Sequence, residues 1–211
     1  MLAALDNEVI FKKAFTDPIV LNAFIKDIVG IDMVIGKIET EKQFTPSVGN
    51  IAFKIDIFTE SKDHRVIVEL QRVDYDYNFD RFLHYFLMSI AELQRSSEKY
   101  KIDTEVYGII FLTAAYKIRE KDGLPIKDEL LITQLDPRNI KGEVIKVFGH
   151  KLIFLNSEYK TDGVTKSVRD WLDLMYESVH NPINYKVNLE NNGIQKAIDI
   201  IDYDKLTSEE M

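Results

Sequence analysis

The sequence contains no cysteine. That absence excludes disulfide scaffolds, zinc sites built from thiolates and cysteine nucleophiles. The chain also has no GxxxxGK[ST] phosphate-binding loop and no serine nucleophile elbow, so neither NTP hydrolysis nor Ser-His-acid catalysis has a motif to support it. The four histidines are scattered without the spacing of a zinc site: His64, His84, His150 and His180.

Long hydrophobic runs are missing as well. No apolar run is long enough to span a bilayer, and the N-terminal segment MLAALDNEVIFKKAF lacks the basic-then-apolar order of a signal peptide. The sequence shows neither internal repeats nor low-complexity segments. We therefore expect a cytoplasmic protein with no membrane partner.

The composition is that of a globular protein. With 211 residues, of which 45% are hydrophobic and 29% charged, the chain is long enough to form one domain with a substantial core. Its net charge of −8 argues against a surface that coats nucleic acid, because non-specific DNA affinity comes from Lys and Arg. A localised basic cleft around a metal site is compatible with that charge.

The most informative stretch is residues 51–72, IAFKIDIFTESKDHRVIVELQR. Apolar residues alternate along it on both sides of the polar cluster SKDH, which predicts two strands joined by a tight turn. If Lys62 and Asp63 form a two-residue loop, Ser61 pairs with His64. The rest of the antiparallel register then follows.

This register places Asp56 opposite Glu69 and Lys54 opposite Gln71. Two like charges directly across a strand pair are destabilising, so something must compensate the two carboxylates. Mg²⁺ is a suitable cation, because it is commonly held by one or two carboxylates together with phosphate and water. Gln71 points to the same face as Glu69 and would orient a water or a phosphate oxygen.

A simpler interpretation of the same hairpin stays open. Antiparallel sheets commonly expose one face to solvent, and such a face carries charged side chains. In that case Lys54 and Arg65 would neutralise their acidic neighbours, and the hairpin would have no catalytic role.

The remaining pattern predicts an α/β protein with a mixed central sheet flanked by helices. A buried strand after a long helix indicates a crossover unit. We expect residues 1–180 to form the domain and residues 181–211 a C-terminal tail with a short amphipathic helix. The predicted helices cover residues 6–15, 17–30, 162–179 and 194–201, with a long one from Phe79; the strands are Ile38–Phe44, 104–113, and two or three among 129–135, 143–148 and 151–155.

The first half of the chain resembles the PD-(D/E)XK nuclease superfamily. Within it, the chain is similar to the PD-(D/E)XK nuclease family transposases, also called the Rpn family of recombination-promoting nucleases. The residues that carry this resemblance are NEVIFKKAF at 7–15, Asp56 in KIDIF, Glu69-Leu70-Gln71 in VELQR, and FDRFLHY at 79–85. The resemblance implies a restriction-endonuclease-like core and a metal-dependent DNA endonuclease linked to recombination or mobile elements.

The resemblance also implies roles for individual residues. Asp56 and Glu69 match the acidic metal ligands, and the backbone carbonyl of Leu70 would be a third ligand for Mg²⁺ or Mn²⁺. Glu8 aligns with an acidic residue of the first helix and would hold a metal-bound water. Arg81 and Tyr85 match an Arg and a Tyr of the helix after the hairpin, where Arg81 would bind phosphate.

Two positions depart from the superfamily pattern. Ile55 replaces the proline of the name, and Gln71 stands where the superfamily has its lysine. A neutral amide does not stabilise developing negative charge as an ammonium does, so Lys54 or Lys12 would have to supply the cation. For Arg81 a surface ion pair is the competing interpretation.

The competing function is a binding or assembly module that keeps the nuclease fold without cutting. The negative net charge and the missing lysine favour it. RNA is an alternative substrate, because the site chemistry would be the same. Enzymes that cut both strands usually need two active sites, so we also expect a homodimer, for which the apolar segment 194–201 is the candidate interface.

Overall fold

A computed structural model describes residues 1–44, 53–72, 79–94, 102–115 and 122–210. It is an α/β protein, as the sequence predicts. Its helices are α1 (Glu8–Phe15), α2 (Pro18–Val29), α3 (Phe79–Ala91), α4 (Lys166–His180) and α5 (Asn192–Ile201), followed by a 3₁₀ turn at Tyr203–Lys205. Its strands are β1 (Ile38–Phe44), β2 (Phe53–Glu60), β3 (His64–Gln71), β4 (Glu105–Leu112), β5 (Leu130–Gln134) and β6 (Lys151–Asn156).

The six strands form one mixed sheet in the order β1-β2-β3-β4-β6-β5. Strands β1, β2 and β3 are antiparallel neighbours, β3 runs parallel to β4 and β4 to β6, and β5 returns antiparallel at the far edge. The crossover predicted after the hairpin is therefore present, with α3 between β3 and β4. β4 lies at the centre and is buried along almost its whole length.

The hairpin has the predicted register. Its pairs run from Glu60–Arg65 to Ile57–Val68, and the Ser61 N–H donates to the His64 carbonyl at 2.8 Å across the turn. The ladder ends at Ile57–Val68. Beyond this pair, Asp56 on β2 and Glu69 on β3 lie where the two backbones no longer pair.

The ends of α2 show how local sequence sets helix boundaries. The Asp17 carboxylate caps the N-terminus by accepting from the Ile19 and Val20 N–H groups, and Pro18 occupies the first turn. Gly30 ends the helix with a φ of 82°, a conformation that glycine adopts without steric cost. These are the predicted stop and start signals.

The sheet separates two layers. The larger core lies on the face covered by α1, α2, α4 and α5, and includes Phe11, Phe24, Trp171 and the inward residues of the central strands. On the other face α3 packs Phe82 and Phe86 against β4 and β6, with an adjoining cluster around Phe44, Phe53 and Phe58. The end of the hairpin therefore lies between α1 and α3.

Two expectations need correction. The segment 194–201 does not present an apolar surface for a partner, because Ile194, Ala197 and Ile201 of α5 are buried against α1, α2 and α4. Residues 143–148 do not form a strand either; only an isolated bridge joins Arg138 and Val144.

Residues 116–121, between β4 and β5, lie outside the described residues. Within the part of the chain that the structure describes, no helix has the length and apolar character needed to cross a membrane.

Candidate functional site

The predicted acid pair lies at the open end of the hairpin. Asp56 immediately precedes Ile57, and Glu69 immediately follows Val68, the last pair between β2 and β3. Each carboxylate accepts a hydrogen bond from the backbone of the opposite strand. The Asp56 N–H donates to Glu69 Oε1 at 2.9 Å, and the Leu70 N–H donates to Asp56 Oδ2 at 3.0 Å. The two side chains thus replace the ladder hydrogen bonds that end one residue earlier.

Burial makes this pair electrostatically unfavourable when both groups are ionised. Glu69 is only 4% exposed, and its burial together with the Asp56 charge raises the pKa of Glu69 to about 8. Burial also raises the pKa of Asp56, although the Leu70 N–H and Lys12 act in the opposite direction. These shifts favour the protonated, neutral form of Glu69 at neutral pH.

Lys12 of α1 is the cation nearest to Asp56 among the described residues. Its Nζ lies 3.6 Å from Asp56 Oδ1 and 3.2 Å from Glu41 Oε1, and it also contacts Glu8 one helical turn earlier. Burial opposes the charge on Lys12, but the hydrogen bonds that Lys12 donates to Glu8 and Glu41, together with the charge of Asp56, raise the pKa of Lys12. Three acidic side chains therefore surround one ammonium group.

The side-chain alternation of β2 changes at Asp56. Ile57 packs in the core under α1, whereas both Ile55 and Phe58 belong to the cluster under α3. Strict alternation would put Ile55 and Ile57 on the same face. The change explains how Asp56 reaches Lys12 of α1 although Phe58, two residues later, packs under α3.

Strand β1 is distorted at the matching position. The pairs Thr40–Ile57 and Lys42–Ile55 are formed, but the intervening pair Glu41–Asp56 is absent from the ladder. Glu41 has a φ of 56° and is the one residue other than glycine with positive φ in the described ranges. The distortion of both strands is therefore centred on the candidate site.

Helix α3 supplies the other side of the site. The Arg81 Nη2 donates to Gln71 Oε1 at 2.5 Å, and the Arg81 charge opposes the upward shift of the Glu69 pKa. The Arg81 guanidinium lies 5.7 Å from the centre of the Tyr85 ring, which stacks on Phe53 at 4.8 Å. Tyr85 thus has a packing role, and burial raises the pKa of its hydroxyl.

Lys54 is not where the register predicts it. Because the β2–β3 ladder ends at Ile57–Val68, Lys54 and Gln71 are not paired. Lys54 instead lies opposite Gln43 of β1, and its Nζ contacts Glu41 Oε2 at 2.7 Å. The splaying of β2 from β3 at the acid pair is the physical reason.

The structure therefore brings most of the predicted residues into one region. Asp56, Glu69, Leu70, Glu8 and Lys12 are linked by direct contacts, and the Arg81–Gln71 pair adjoins them. Glu41 is the residue that the sequence analysis missed. An acidic residue in a charged edge strand carries no distinctive signal, and its importance depends on a backbone distortion that periodicity does not reveal.

The donor set is compatible with a hard divalent cation. Asp56 and Glu69 offer carboxylate oxygens, and Glu69 Oε2 accepts no hydrogen bond from the described residues. A strand residue directs its N–H and C=O to the same neighbour, so the Leu70 carbonyl lies on the Asp56 side. However, the described residues contain no ready-made cluster of three or more His, Asp or Glu side chains for a metal.

Comparison with protein-family models, with curated proteins and with solved structures finds no match for this chain.

Proposed function

We propose that this protein is a metal-dependent endonuclease that hydrolyses DNA phosphodiester bonds, with a restriction-endonuclease-like core of the PD-(D/E)XK type. The observation that carries the proposal is the acid pair. The partly buried Asp56 and the buried Glu69 sit where a hairpin opens, burial raises the pKa of both carboxyl groups, and the Asp56 charge raises that of Glu69 further, a cost that most surface hairpins avoid. A divalent cation would remove that cost.

The surrounding topology supports the proposal. The order α1, α2, β1, the acid-bearing hairpin β2–β3, α3 and the buried parallel strand β4 agrees with the α-β-β-β-α-β core that the family resemblance implies. The charged groups come from α1, the hairpin and α3, which converge on the open end of the hairpin. A link to recombination or mobile elements rests on the family resemblance alone.

The acid pair would bind the cation in this account. Asp56, Glu69 and the Leu70 carbonyl would hold Mg²⁺ or Mn²⁺, and ion binding would require Glu69 to lose its proton. When bound, the metal would supply a nucleophilic water at neutral pH and polarise the scissile phosphate.

The neighbouring side chains would bind and orient the DNA. Arg81 has the planar geometry for bidentate phosphate binding, with Tyr85 packed under its guanidinium. Gln71, whose Oε1 is taken by Arg81, would present its amide N–H group to the nucleophile or phosphate.

Lys12 would supply the positive charge that the superfamily lysine normally provides. Its ammonium lies 3.6 Å from Asp56, and Glu8, one turn earlier on α1, holds it by a direct ion pair. Lys54 would add a second phosphate contact at the edge of the site. We therefore assign Glu8 to orienting Lys12, in addition to its expected role towards a metal-bound water.

A non-cutting module with the same fold is the second candidate, and one observation favours it. The Lys12 ammonium already compensates Asp56, and the raised pKa of Glu69 favours its neutral form at pH 7. The pair is therefore stable enough to persist without a catalytic role. In that case the basic side chains would bind nucleic acid or another anionic partner without hydrolysis.

Cleavage of supercoiled plasmid DNA in Mg²⁺ or Mn²⁺ tests the proposal. We expect nicking by the wild type and loss of at least about a hundredfold in rate in Asp56→Asn and in Glu69→Gln. Both variants keep the size of the side chain and an oxygen that can accept the observed backbone hydrogen bond. Asp63→Asn is the matched control, since Asp63 is exposed in the turn at the other end of the hairpin.

The same preparations should be assayed on single-stranded RNA. Wild-type cleavage of RNA but not DNA would reassign the substrate. No cleavage of either by the wild type, or equal cleavage by Asp56→Asn, would leave the non-cutting module as the better account.

A further inference from the structure

Glu41 lies beside the acid pair but belongs to neither the hairpin nor a helix. It is in the edge strand β1, opposite Asp56, at the one unpaired position within the β1–β2 ladder. Its φ of 56° is a conformation that costs a residue with a side chain more than it costs glycine. Strained backbone of this kind persists where the surroundings enforce it, and it is concentrated at functional sites.

The Glu41 carboxylate joins two lysines from different elements. Its Oε1 is 3.2 Å from the Nζ of Lys12 on α1, and its Oε2 is 2.7 Å from the Nζ of Lys54 on β2. These are the two lysines that the proposed function assigns to substrate phosphate. One oxygen of Glu41 is therefore committed to each of them.

Glu39, two residues earlier in β1, provides an internal comparison. It also bridges two lysines, with Lys37 at 3.0 Å and Lys42 at 2.9 Å. Yet Glu39 is regularly paired with Phe58, and its lysines do not contact the acid pair. Bridging lysines is thus an ordinary surface feature of this strand. What distinguishes Glu41 is its distorted backbone and the contact of one of its lysines with Asp56.

We propose that Glu41 is a positioning residue that holds Lys12 and Lys54 beside Asp56 and releases them to the phosphodiester backbone of a bound nucleic acid. This inference rests on the proposed function. Before substrate binds, the carboxylate fixes both ammonium groups at the edge of the site. When substrate binds, a phosphate oxygen replaces the carboxylate oxygen that contacts each lysine. No covalent bond forms or breaks in this exchange.

The role predicts opposite effects on binding and on chemistry. Loss of the Glu41 charge removes a competitor of phosphate, so DNA binds more tightly. It also leaves the lysines without their fixed position, so the cleavage step becomes slower, by about tenfold or more. A general loss of structure would instead weaken DNA binding and slow cleavage.

The test compares Glu41→Gln with Glu39→Gln, because both substitutions remove one charge from the same strand next to two lysines. Affinity for a short DNA duplex is measured in Ca²⁺, and the single-turnover cleavage rate in Mg²⁺. For Glu41→Gln we expect a lower Kd than for Glu39→Gln and a reduced cleavage rate, whereas Glu39→Gln should cleave at the wild-type rate. Glu41→Asp should restore part of the rate.

Glu41→Gly separates the carboxylate from the backbone. Glycine accepts a φ of 56° without strain but has no charge, so this variant should cleave as slowly as Glu41→Gln. A wild-type rate in either variant would overturn the proposal.

The outcomes also separate this inference from the proposed function. A wild type that binds DNA but does not cut it would refute the proposed nuclease activity. The Kd values of the variants would still test whether Glu41 competes with phosphate for the two lysines. Equal Kd values for Glu41→Gln and Glu39→Gln would then overturn its role. A wild type that neither binds nor cuts would overturn both proposals.

Discussion

Burial of Glu69 disfavours its ionised form, and the neighbouring groups that favour ionisation do not bring its pKa back to the ordinary value. The side chain is almost completely buried, and the closest acidic group is Asp56 on the facing strand. The Asp56 N–H, Arg81 and Lys12 all favour the ionised form, but they do not overcome burial. A residue in this state is well suited to a role in which a cation arrives and a proton leaves.

The raised pKa of Glu69 predicts how the stability of the protein depends on pH. Because the pKa of Glu69 is about 8 in the folded protein and near its ordinary value of 4.5 when unfolded, the folded state binds more protons between these values. The free energy of unfolding should therefore fall as pH rises through that window, by up to about 1.4 kcal/mol per pH unit. Glu69→Gln, which has no proton to lose, should remove most of this fall.

Thermal unfolding at pH 5.5 and pH 8.5 in EDTA measures the effect. We expect the stability of Glu69→Gln relative to the wild type to increase from pH 5.5 to pH 8.5. Asp63→Asn, in the exposed turn, serves as the control and should follow the wild type at both. Parallel pH profiles for wild type and Glu69→Gln would show that Glu69 is ionised in the folded protein.

Lys12 can be tested against its neighbour in the sequence. Lys12→Met keeps the apolar stem but leaves Asp56 and Glu8 without their ammonium, so we expect a loss of about 1 to 3 kcal/mol at pH 8. Lys13→Met is the control, because Lys13 contacts Glu210 away from the acid pair. Chemical denaturation of both variants gives the comparison. Equal losses would show that the contacts of Lys12 with the acids contribute nothing particular.

Among the elements, the hairpin shows where sequence reasoning succeeds and where it stops. Its register could be predicted, because the tight turn fixes the pairing and apolar alternation fixes the faces. The break in side-chain alternation at Asp56 could not be predicted from the sequence. Phe53, Ile55 and Ile57 have the spacing of one continuous face, and only the packing of Ile55 under α3 reveals the change.

Helix boundaries were predictable for a different reason. Capping by Asp17 and termination at Gly30 depend on residues within one turn of the helix end, so local sequence contains the information. Local sequence does not determine which surface the apolar face of a helix packs against. The stripe of α5 would look the same whether it packed on another chain or, as the structure has it, on α1 and α2.

The packing of α5 gives a direct test at Gly193. A Cβ added there would lie 2.3 Å from the Ala23 Cβ on α2 and 3.1 Å from the Trp171 ring on α4. Gly193→Ala should therefore destabilise the whole protein, by about 1 to 3 kcal/mol, because the helices must move apart. Urea denaturation measures the change, with Gln195→Ala, exposed on the same helix, as control. If both variants were as stable as the wild type, α5 would not be packed as described.

At the scale of the whole molecule, the site lies where the two layers of the fold meet. Helix α1 contributes Lys12 from one side of the sheet, and α3 contributes Arg81 from the other. The acid pair joins them because the hairpin opens there. Asp56, Glu69 and Arg81 could be named from the motifs, but the distances among the charged groups depend on how α1 and α3 pack on opposite faces.

This arrangement also accounts for a negatively charged protein as a candidate for DNA binding. The net charge is −8, and Lys12, Lys54 and Arg81 lie around the open end of the hairpin together with Glu8, Glu41 and Asp56. In the proposed function, phosphate would bind there because a divalent cation offsets the acid pair and Glu41 releases its two lysines.

The most direct test of this account is calorimetric titration of Mn²⁺ and Mg²⁺ into the EDTA-treated, dialysed wild type and Asp56→Asn at pH 8, with plasmid nicking measured on the same samples. We expect one divalent-ion site in the wild type, its loss in Asp56→Asn, and nicking only where the ion binds. A wild type that binds neither ion, or an Asp56→Asn variant that binds as tightly and nicks as fast as the wild type, would contradict it.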